Sequence, residues 1–142
     1  MKLSGLTDAQ QRRIERASET VPFAKLIGLE LKAVEPGRAV LTMEIREELK
    51  QNHGVVHGGA IASLIDSAMA FAIIPYLDED EGTTTVDLTI HYLRPLLSGL
   101  ATATAQVVRV GRRVVVVSAE VVDEAGSLAA TATSAYLRLS SS

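Results

Sequence analysis

The sequence predicts an α+β domain in which an antiparallel sheet of about six strands curves around one long buried helix. Three observations support this prediction: a polar, glycine-rich loop runs into an apolar helical stretch, a strand hairpin precedes that stretch, and four strands follow it. Short turns between adjacent strands favour antiparallel pairing. An apolar helix is buried most economically against one face of such a sheet.

The composition favours a single globular domain and disfavours several classes of function. The 142 residues suit one domain spanning residues 1–142, with 47% apolar and 22% charged residues. A net charge of −3 and a pI of about 5.6 disfavour a nucleic-acid partner. The absence of cysteine excludes disulfides, thiolate metal sites and a cysteine nucleophile, and three scattered histidines suggest no metal.

The distribution of apolar residues indicates a cytoplasmic protein. The first twenty residues are charged and lack the apolar core of a signal peptide. No uninterrupted apolar run reaches about 18 residues, so we expect no membrane span.

The first elements form a helical extension over about residues 1–27. Thr7 to Thr20 reads as a helix, since Thr7 or Asp8 can cap it and good helix formers follow. A short helical turn follows Pro22, which is favoured at the first helical position.

A hairpin comes next. Leu29 to Val34 alternates apolar and polar residues, Glu35 to Arg38 forms a turn, and Ala39 to Ile45 returns as the second strand. Glu47 to Lys50 is a polar link to the central helix.

The loop before the central helix is suited to binding an oxygen atom. It begins at Gln51, and the helix runs to about Ile74 before Pro75 ends it. A helix N-terminus presents unpaired N–H groups and the positive end of a dipole. Gly58 and Gly59 lack side chains, so an oxyanion or a polarised carbonyl can approach their N–H groups closely.

Asp66 is a carboxylate on a helix that is apolar on nearly every side, which predicts a buried helix. An unpaired buried carboxylate is costly, so Asp66 should be hydrogen-bonded or lie at a cleft. His57 and Asp66 are nine positions apart, which is about half a turn around the axis and a rise of about 13–14 Å. If both act on one substrate, we expect a site shared between two copies of the chain.

Four strands complete the chain: Thr83 to Leu93, Leu100 to Val110, Arg113 to Asp123 and Leu128 to Leu139. Strict alternation in the first places Val86, Leu88, Ile90 and Tyr92 on one face and Thr85, Asp87, Thr89 and His91 on the other. The apolar run Val114 to Val117 suggests a strand covered on both faces.

These pieces resemble the hotdog-fold acyl-CoA thioesterases, in the phenylacetic-acid-pathway and 4-hydroxybenzoyl-CoA thioesterase-like branch. The resemblance rests on Gly54-Val-Val-His57-Gly58-Gly59, on Asp66 nine positions after the histidine, and on the segments starting at Thr85 and Tyr92. It covers roughly residues 20 to 139.

The resemblance implies the roles of the site residues. Asp66 matches the family's carboxylate, acting as nucleophile or as general base for water, and Gln51 matches its amide, with Asn52 one position out of register. The Gly58 N–H would polarise the thioester carbonyl, beside Gly59, and His57 would position the thioester. Thr85 falls where some relatives place a hydroxyl beside the attacking water.

The resemblance also implies homodimers with shared sites, commonly paired into tetramers. Coenzyme A carries phosphates, and the exposed arginines at strand ends and a turn could hold them. The candidates are Arg94, Arg109, Arg112 and Arg113.

The predicted activity is hydrolysis of an acyl- or aryl-CoA to a carboxylate and free CoA, without a cofactor. One alternative is a hydratase or dehydratase acting on acyl-thioesters, and another is a non-catalytic acyl-CoA-binding regulatory protein. Each site residue also has a structural alternative: a buried acceptor for Asp66, a loop amide for Gln51, a helix cap for His57, a tight helix entry for the glycines, and solvated charges for the arginines.

Overall fold

A computed structural model of the chain describes residues 1–140, and one mixed sheet runs through it. The strand order is β1-β2-β3-β5-β6-β7-β4. The strands are β1 (Lys2–Leu3), β2 (Leu29–Glu35), β3 (Arg38–Ile45), β4 (Glu81–Tyr92), β5 (Gly99–Val110), β6 (Val114–Val122) and β7 (Leu128–Ser140). The helices are α1 (Asp8–Thr20), α2 (Pro22–Ile27) and α3 (Gly58–Ile73), with short 3₁₀ turns at Glu47–Leu49 and Ile74–Tyr76.

Within residues 1–140 the sheet has seven strands instead of the six that the sequence predicts. The additional strand, β1, is two residues long and pairs in parallel with β2. Two residues are too short for a recognisable alternation, so this strand had no periodic signal. The other six strands pair antiparallel as predicted.

The N-terminal extension packs against the end of the central helix. Thr7 caps α1, and its side chain and that of Gln10 each accept the other's backbone N–H. Gln10 also donates its side-chain amide to the Pro75 carbonyl at 3.0 Å, and Arg13 donates to the Asp78 carbonyl at 3.0 Å. These bonds hold α1 over the last turn of α3.

The central helix is buried on one side only. Its buried residues are Ile61, Leu64, Ile65, Ala68, Met69, Ala72 and Ile73. Asp66, Ser67, Ala70 and Phe71 are only partly buried. The expectation of a helix buried all round is therefore wrong for the single chain, because the sheet covers one face and the opposite face is only partly covered.

By length and composition, the 19-residue helical stretch Gly58–Tyr76 could cross a membrane, with a mean hydropathy of 1.6. The 3₁₀ turn after α3 gives it this length, and Asp66 interrupts its apolar residues. A helix that packs on a sheet in a protein core meets the same criterion. The contacts of α3 with β3, β5 and β6 account for its apolar face without a membrane.

A β-bulge in β4 overturns the predicted assignment of its faces. Thr85 pairs with Tyr136 and Asp87 with Ala135, so Val86 is an extra residue in the strand. Val86 is consequently 60% exposed, and Thr85 points towards α3 on the same side as Leu88 and Ile90. The Asp87 carboxylate accepts the Ala135 N–H at 2.9 Å.

The run Val114 to Val117 is not covered on both faces within one chain. Val115 and Val117 are fully buried, whereas Val114 is 43% exposed. Among residues 1–140 no second layer covers the outer face of the sheet, so the run alternates like an ordinary strand.

Candidate active site

The Asp66 carboxylate is held by two hydroxyl groups from neighbouring strands. Thr85 Oγ1 donates to Asp66 Oδ1 at 2.9 Å, and Tyr136 Oη donates to the same oxygen at 2.5 Å. Tyr136 Oη also lies 2.9 Å from the Asp66 backbone carbonyl. Thr85 and Tyr136 are directly paired across β4 and β7, so the sheet itself sets the spacing of the two donors.

Tyr136 is a site residue that the sequence reasoning missed. Its side chain is buried, and burial together with the hydrogen bond and charge of Asp66 raises the pKa of Tyr136 far above its usual value. The phenol therefore remains a proton donor throughout the physiological range. A tyrosine among apolar and small residues on a strand could have marked it, since a buried tyrosine hydroxyl usually needs a partner.

The second carboxylate oxygen of Asp66 has a different environment. No hydrogen bond within residues 1–140 reaches Oδ2, and Asp66 is only partly buried. One oxygen is thus anchored by two donors and the other is available to a substrate or a water molecule. This division suits a carboxylate that must be both oriented and reactive.

The start of α3 forms a second cluster. His57 caps the helix, because its Nδ1 accepts the Gly59 N–H at 2.8 Å. Accepting at Nδ1 leaves the proton of the neutral ring on Nε2. The Gly59 N–H is thereby used within the chain, whereas the Gly58 N–H donates no hydrogen bond within residues 1–140.

Tyr92 packs over this helix start. Its hydroxyl donates to the Gly58 carbonyl at 2.8 Å. A Cβ atom added at Gly58 would lie 3.2 Å from the Tyr92 ring, so a larger residue there would crowd the tyrosine. The close approach of β4 to α3 therefore accounts for a glycine at position 58.

The loop before α3 places its amide side chains in solvent. Gln51 and Asn52 are exposed, and Gln51 donates its N–H to the Val55 carbonyl at 2.9 Å in a turn where Gly54 has a φ of 79°. The His57 N–H donates to the Leu49 carbonyl at 2.8 Å, which ties the loop to the helix start. Neither Gln51 nor Asn52 makes a side-chain hydrogen bond within residues 1–140.

One chain does not bring the two clusters together. Gln51, His57 and Gly58 lie in the loop before α3 and at its start. Asp66, which is bonded by Thr85 of β4, lies eight residues after Gly58 along the helix. Eight residues correspond to about 12 Å of rise. Two of the predicted arginines lie on other elements: Arg94 follows β4, and Arg112 is in the β5–β6 turn. Both side chains are exposed, and neither forms an ion pair among residues 1–140.

A mostly apolar pocket of about 240 Å³ opens beside Asp66. Its walls come from α1, α2, β2, β3 and the partly buried face of α3. The lining residues are Ala17, Ser18, Val21, Ala24, Leu29, Leu31, Leu41, Asp66, Ser67, Ala70, Phe71 and Ile74. Among the residues that the structure describes, no group of acidic or histidine side chains is arranged to hold a metal ion.

Comparison with known proteins agrees with this geometry. The thioesterase superfamily model matches residues 53–130, which include α3 with Asp66, the strands β4, β5 and β6, and the start of β7. A 1,4-dihydroxy-2-naphthoyl-CoA hydrolase from Listeria monocytogenes is 30% identical over 102 residues, covering 72% of this chain and 83% of the relative. A medium/long-chain acyl-CoA thioesterase, YigI, from Salmonella typhimurium is 31% identical over 132 residues, covering 82% and 85%.

The fold comparison gives the same result. The structure of PaaI from the phenylacetic acid degradation operon of E. coli superimposes with a TM-score of 0.86 at 28% identity, covering 94% of this chain and 96% of that one. The expected resemblance to the hotdog thioesterases is therefore confirmed. This chain belongs to the thioesterase superfamily and is a thioester hydrolase with the hotdog fold.

Proposed function

We propose that this protein hydrolyses acyl-CoA thioesters to a carboxylic acid and free CoA, with Asp66 as the reacting carboxylate. The observation that carries the proposal is the environment of Asp66: two hydroxyl donors hold Oδ1, no hydrogen bond within residues 1–140 reaches Oδ2, and Asp66 lines an apolar pocket. Relatives named as acyl-CoA hydrolases and thioesterases support the substrate class.

Asp66 acts as a general base for water or as a nucleophile on the thioester carbonyl. Both roles need an ionised carboxylate with one oxygen facing the substrate. Tyr136 and Thr85 orient the carboxylate, and a lone pair of Thr85 Oγ1 can accept a hydrogen bond from the attacking water. A positioned general base contributes about 10²- to 10⁴-fold to the rate.

The thioester carbonyl is polarised by the Gly58 N–H of a second copy of the chain. In this proposal Gln51 and His57 of the same copy orient the thioester, with Asn52 and Gly59 beside them. An oxyanion donor of this kind is worth about 3–4 kcal/mol of barrier. The separation of the two clusters along α3 supports this sharing, because Asp66 and Gly58 of one chain are about 12 Å apart along the helix.

The edge strand β4 is the surface proposed for the dimer. Within residues 1–140 only β7 pairs with β4, so the other edge of β4 carries unpaired backbone groups in this part of the chain. Val86 is 60% exposed beside Thr85. Pairing of two β4 edges would place each Asp66 close to a second chain. The exposed valines Val108 in β5 and Val114 in β6 support a dimer of dimers.

Coenzyme A would lie outside the pocket, with its phosphates near exposed arginines. Arg94 and Arg112 are the proposed contacts, and their freedom from ion pairs within residues 1–140 supports this role. We propose hydrolysis without a cofactor by one domain spanning residues 1–142. The cytoplasmic location expected from the sequence stays a prediction.

Thiol release from acyl-CoA tests the proposal. We expect Asp66→Asn to lower kcat by about 10²- to 10⁴-fold, because the amide cannot accept a proton or attack the carbonyl. The variant should retain its far-UV circular dichroism and its elution volume. Undiminished thiol release by Asp66→Asn would contradict the mechanism, and hydration of crotonyl-CoA without thiol release would favour a hydratase.

A further inference from the structure

The pocket beside Asp66 lies on the face of α3 that the sheet does not cover. At about 100° per residue, Ser67, Ala70, Phe71 and Ile74 follow Asp66 within one sector of about 140°. The buried residues of α3 occupy the opposite sector and contact the sheet. Asp66 therefore lies at the boundary, with the β4 and β7 donors on one side and the pocket on the other.

The N-terminal extension closes this pocket. Ala17 and Ser18 of α1 and Ala24 of α2 line it, together with Val21 between the two helices. Bonds from Gln10 and Arg13 hold α1 against the end of α3. The extension is thus a wall of the pocket, and its position limits the length of any group that enters beside Asp66.

The volume restricts the size of that group. An apolar cavity of about 150 Å³ is enough for benzene, so a single aromatic ring would leave roughly a third of this 240 Å³ pocket empty. At about 30 Å³ for a group the size of a water molecule, the pocket holds about eight methylene-sized groups. A chain of sixteen carbons does not fit unless the extension moves.

The residues that line the pocket restrict the polarity of the acyl group that can bind there. The part of the wall from α2, β2 and β3 carries only apolar side chains: Ala24, Leu29, Leu31 and Leu41. The Ser18 hydroxyl is already bonded to the Glu15 carbonyl at 2.7 Å. A hydroxyl on the part of an acyl group that lies against this α2, β2 and β3 wall would lose its hydrogen bonds to water without a replacement.

We infer that this pocket binds a straight, unsubstituted aliphatic acyl chain of about six to eight carbons, with the thioester at Asp66 and the chain end under the α1–α2 extension. This inference rests on the proposed function for the placement of the thioester. It names the acyl class and assigns the length limit to the N-terminal extension.

Binding of S-alkyl-CoA thioethers tests the inference without turnover, because these analogues cannot be hydrolysed. Titration calorimetry with chains of two to sixteen carbons should show affinity rising about 4-fold for each added methylene and levelling off near eight carbons. An affinity independent of chain length would overturn the inference. Tighter binding of phenethyl-CoA than of octyl-CoA would overturn the aliphatic assignment.

Two substitutions in the wall should move the limit in opposite directions. Ala24→Leu adds three carbon atoms to the pocket and should shorten the preferred chain by about three carbons. Phe71→Ala should lengthen the preferred chain, and this variant tests the inference if Ala24→Leu does not fold. Lys25→Leu, at an exposed neighbour that does not line the pocket, is the matched control and should leave the limit unchanged.

The two ideas can fail separately. If chain-length-dependent binding is found but Asp66→Asn releases thiol as fast as the unchanged protein, the role of Asp66 fails and the acyl pocket stands. If Asp66→Asn is inactive but Ala24→Leu and Lys25→Leu behave alike in the titration, the hydrolase mechanism stands and the pocket assignment is overturned.

Discussion

Asp66 can act as a nucleophile or as a general base, and the two roles predict different fates for its carboxylate oxygens. If Oδ2 attacks the thioester carbonyl, CoA leaves and a mixed anhydride of Asp66 and the acyl group forms; water that attacks the Asp66 carbonyl of this anhydride then transfers an Asp66 oxygen to the product acid. If Asp66 activates water, the oxygen comes from solvent. A single turnover in H₂¹⁸O should therefore leave the Asp66 side chain without ¹⁸O for a general base, whereas ¹⁸O in the Asp66 side chain would show the nucleophilic route.

Tyr136 should act by positioning Asp66. Its hydroxyl bonds both Oδ1 and the backbone carbonyl of Asp66, so Tyr136→Phe frees the carboxylate to rotate. We expect kcat to fall by about 10- to 100-fold with little change in KM, because misplacement of a reacting group costs up to about 10²-fold. Tyr76→Phe, which removes a phenol that makes no such bond, should leave kcat unchanged.

The same variant has a predicted pH dependence. The pKa of Tyr136 is raised in the folded protein by burial and by Asp66, so its stabilising contribution is complete below the unfolded value of about 10 and is lost as the pH rises above it. Between pH 10 and 12 the free energy of unfolding should fall more steeply for the unchanged protein than for Tyr136→Phe. Urea denaturation at several pH values measures this; equal slopes would contradict it.

At the scale of the element, we expect His57 at the start of α3 both to cap the helix and to orient the thioester. His57 Nδ1 caps the helix, and we expect His57→Ala to lower the free energy of unfolding by about 1 kcal/mol. Asparagine is also a good cap, so His57→Asn should restore most of the stability. Because asparagine lacks the Nε2–H of the imidazole ring, the His57→Asn variant should hydrolyse substrate more slowly than the unchanged protein. A fully active His57→Asn variant would mean that His57 serves only as the cap.

The β4 bulge shows how a single inserted residue changes a whole element. Without it, Thr85 and Leu88 would lie on opposite faces of the strand, as the sequence predicted. The extra residue, Val86, brings both towards α3, and the hydroxyl of Thr85 then reaches Asp66. Bulges commonly redirect a side chain in this way next to a functional site.

At the scale of the whole molecule, the proposal requires two chains for each site. Mixing inactive Asp66→Asn and Gln51→Ala proteins, after dissociation and reassociation, should restore activity to about a quarter of that of the unchanged protein. Half of the dimers would be mixed, and each would hold one intact site of two. If mixing leaves the activity at the average of the two variants, all the site residues of one active site belong to the same chain.

Much of this protein could be read from local patterns. Alternation along the strands, the glycine-rich entry to α3 and the spacing from His57 to Asp66 depend on neighbours within about ten residues. Six strands and three helices were predicted from such patterns, and Asp66 was singled out as the candidate carboxylate. Tyr136 could not be placed in this way, because it lies 70 positions from Asp66 and meets it only through the register of β4 and β7.

Sequence by itself therefore determined the helices, the six longer strands, the order of these elements and the chemical groups available, since these follow from periodicity and residue type. Only the tertiary structure decided which oxygen of Asp66 is anchored, which face Thr85 occupies and how large a pocket the N-terminal extension encloses. Those properties depend on strand register, on one bulge and on packing between distant segments, and local patterns along the chain do not encode them.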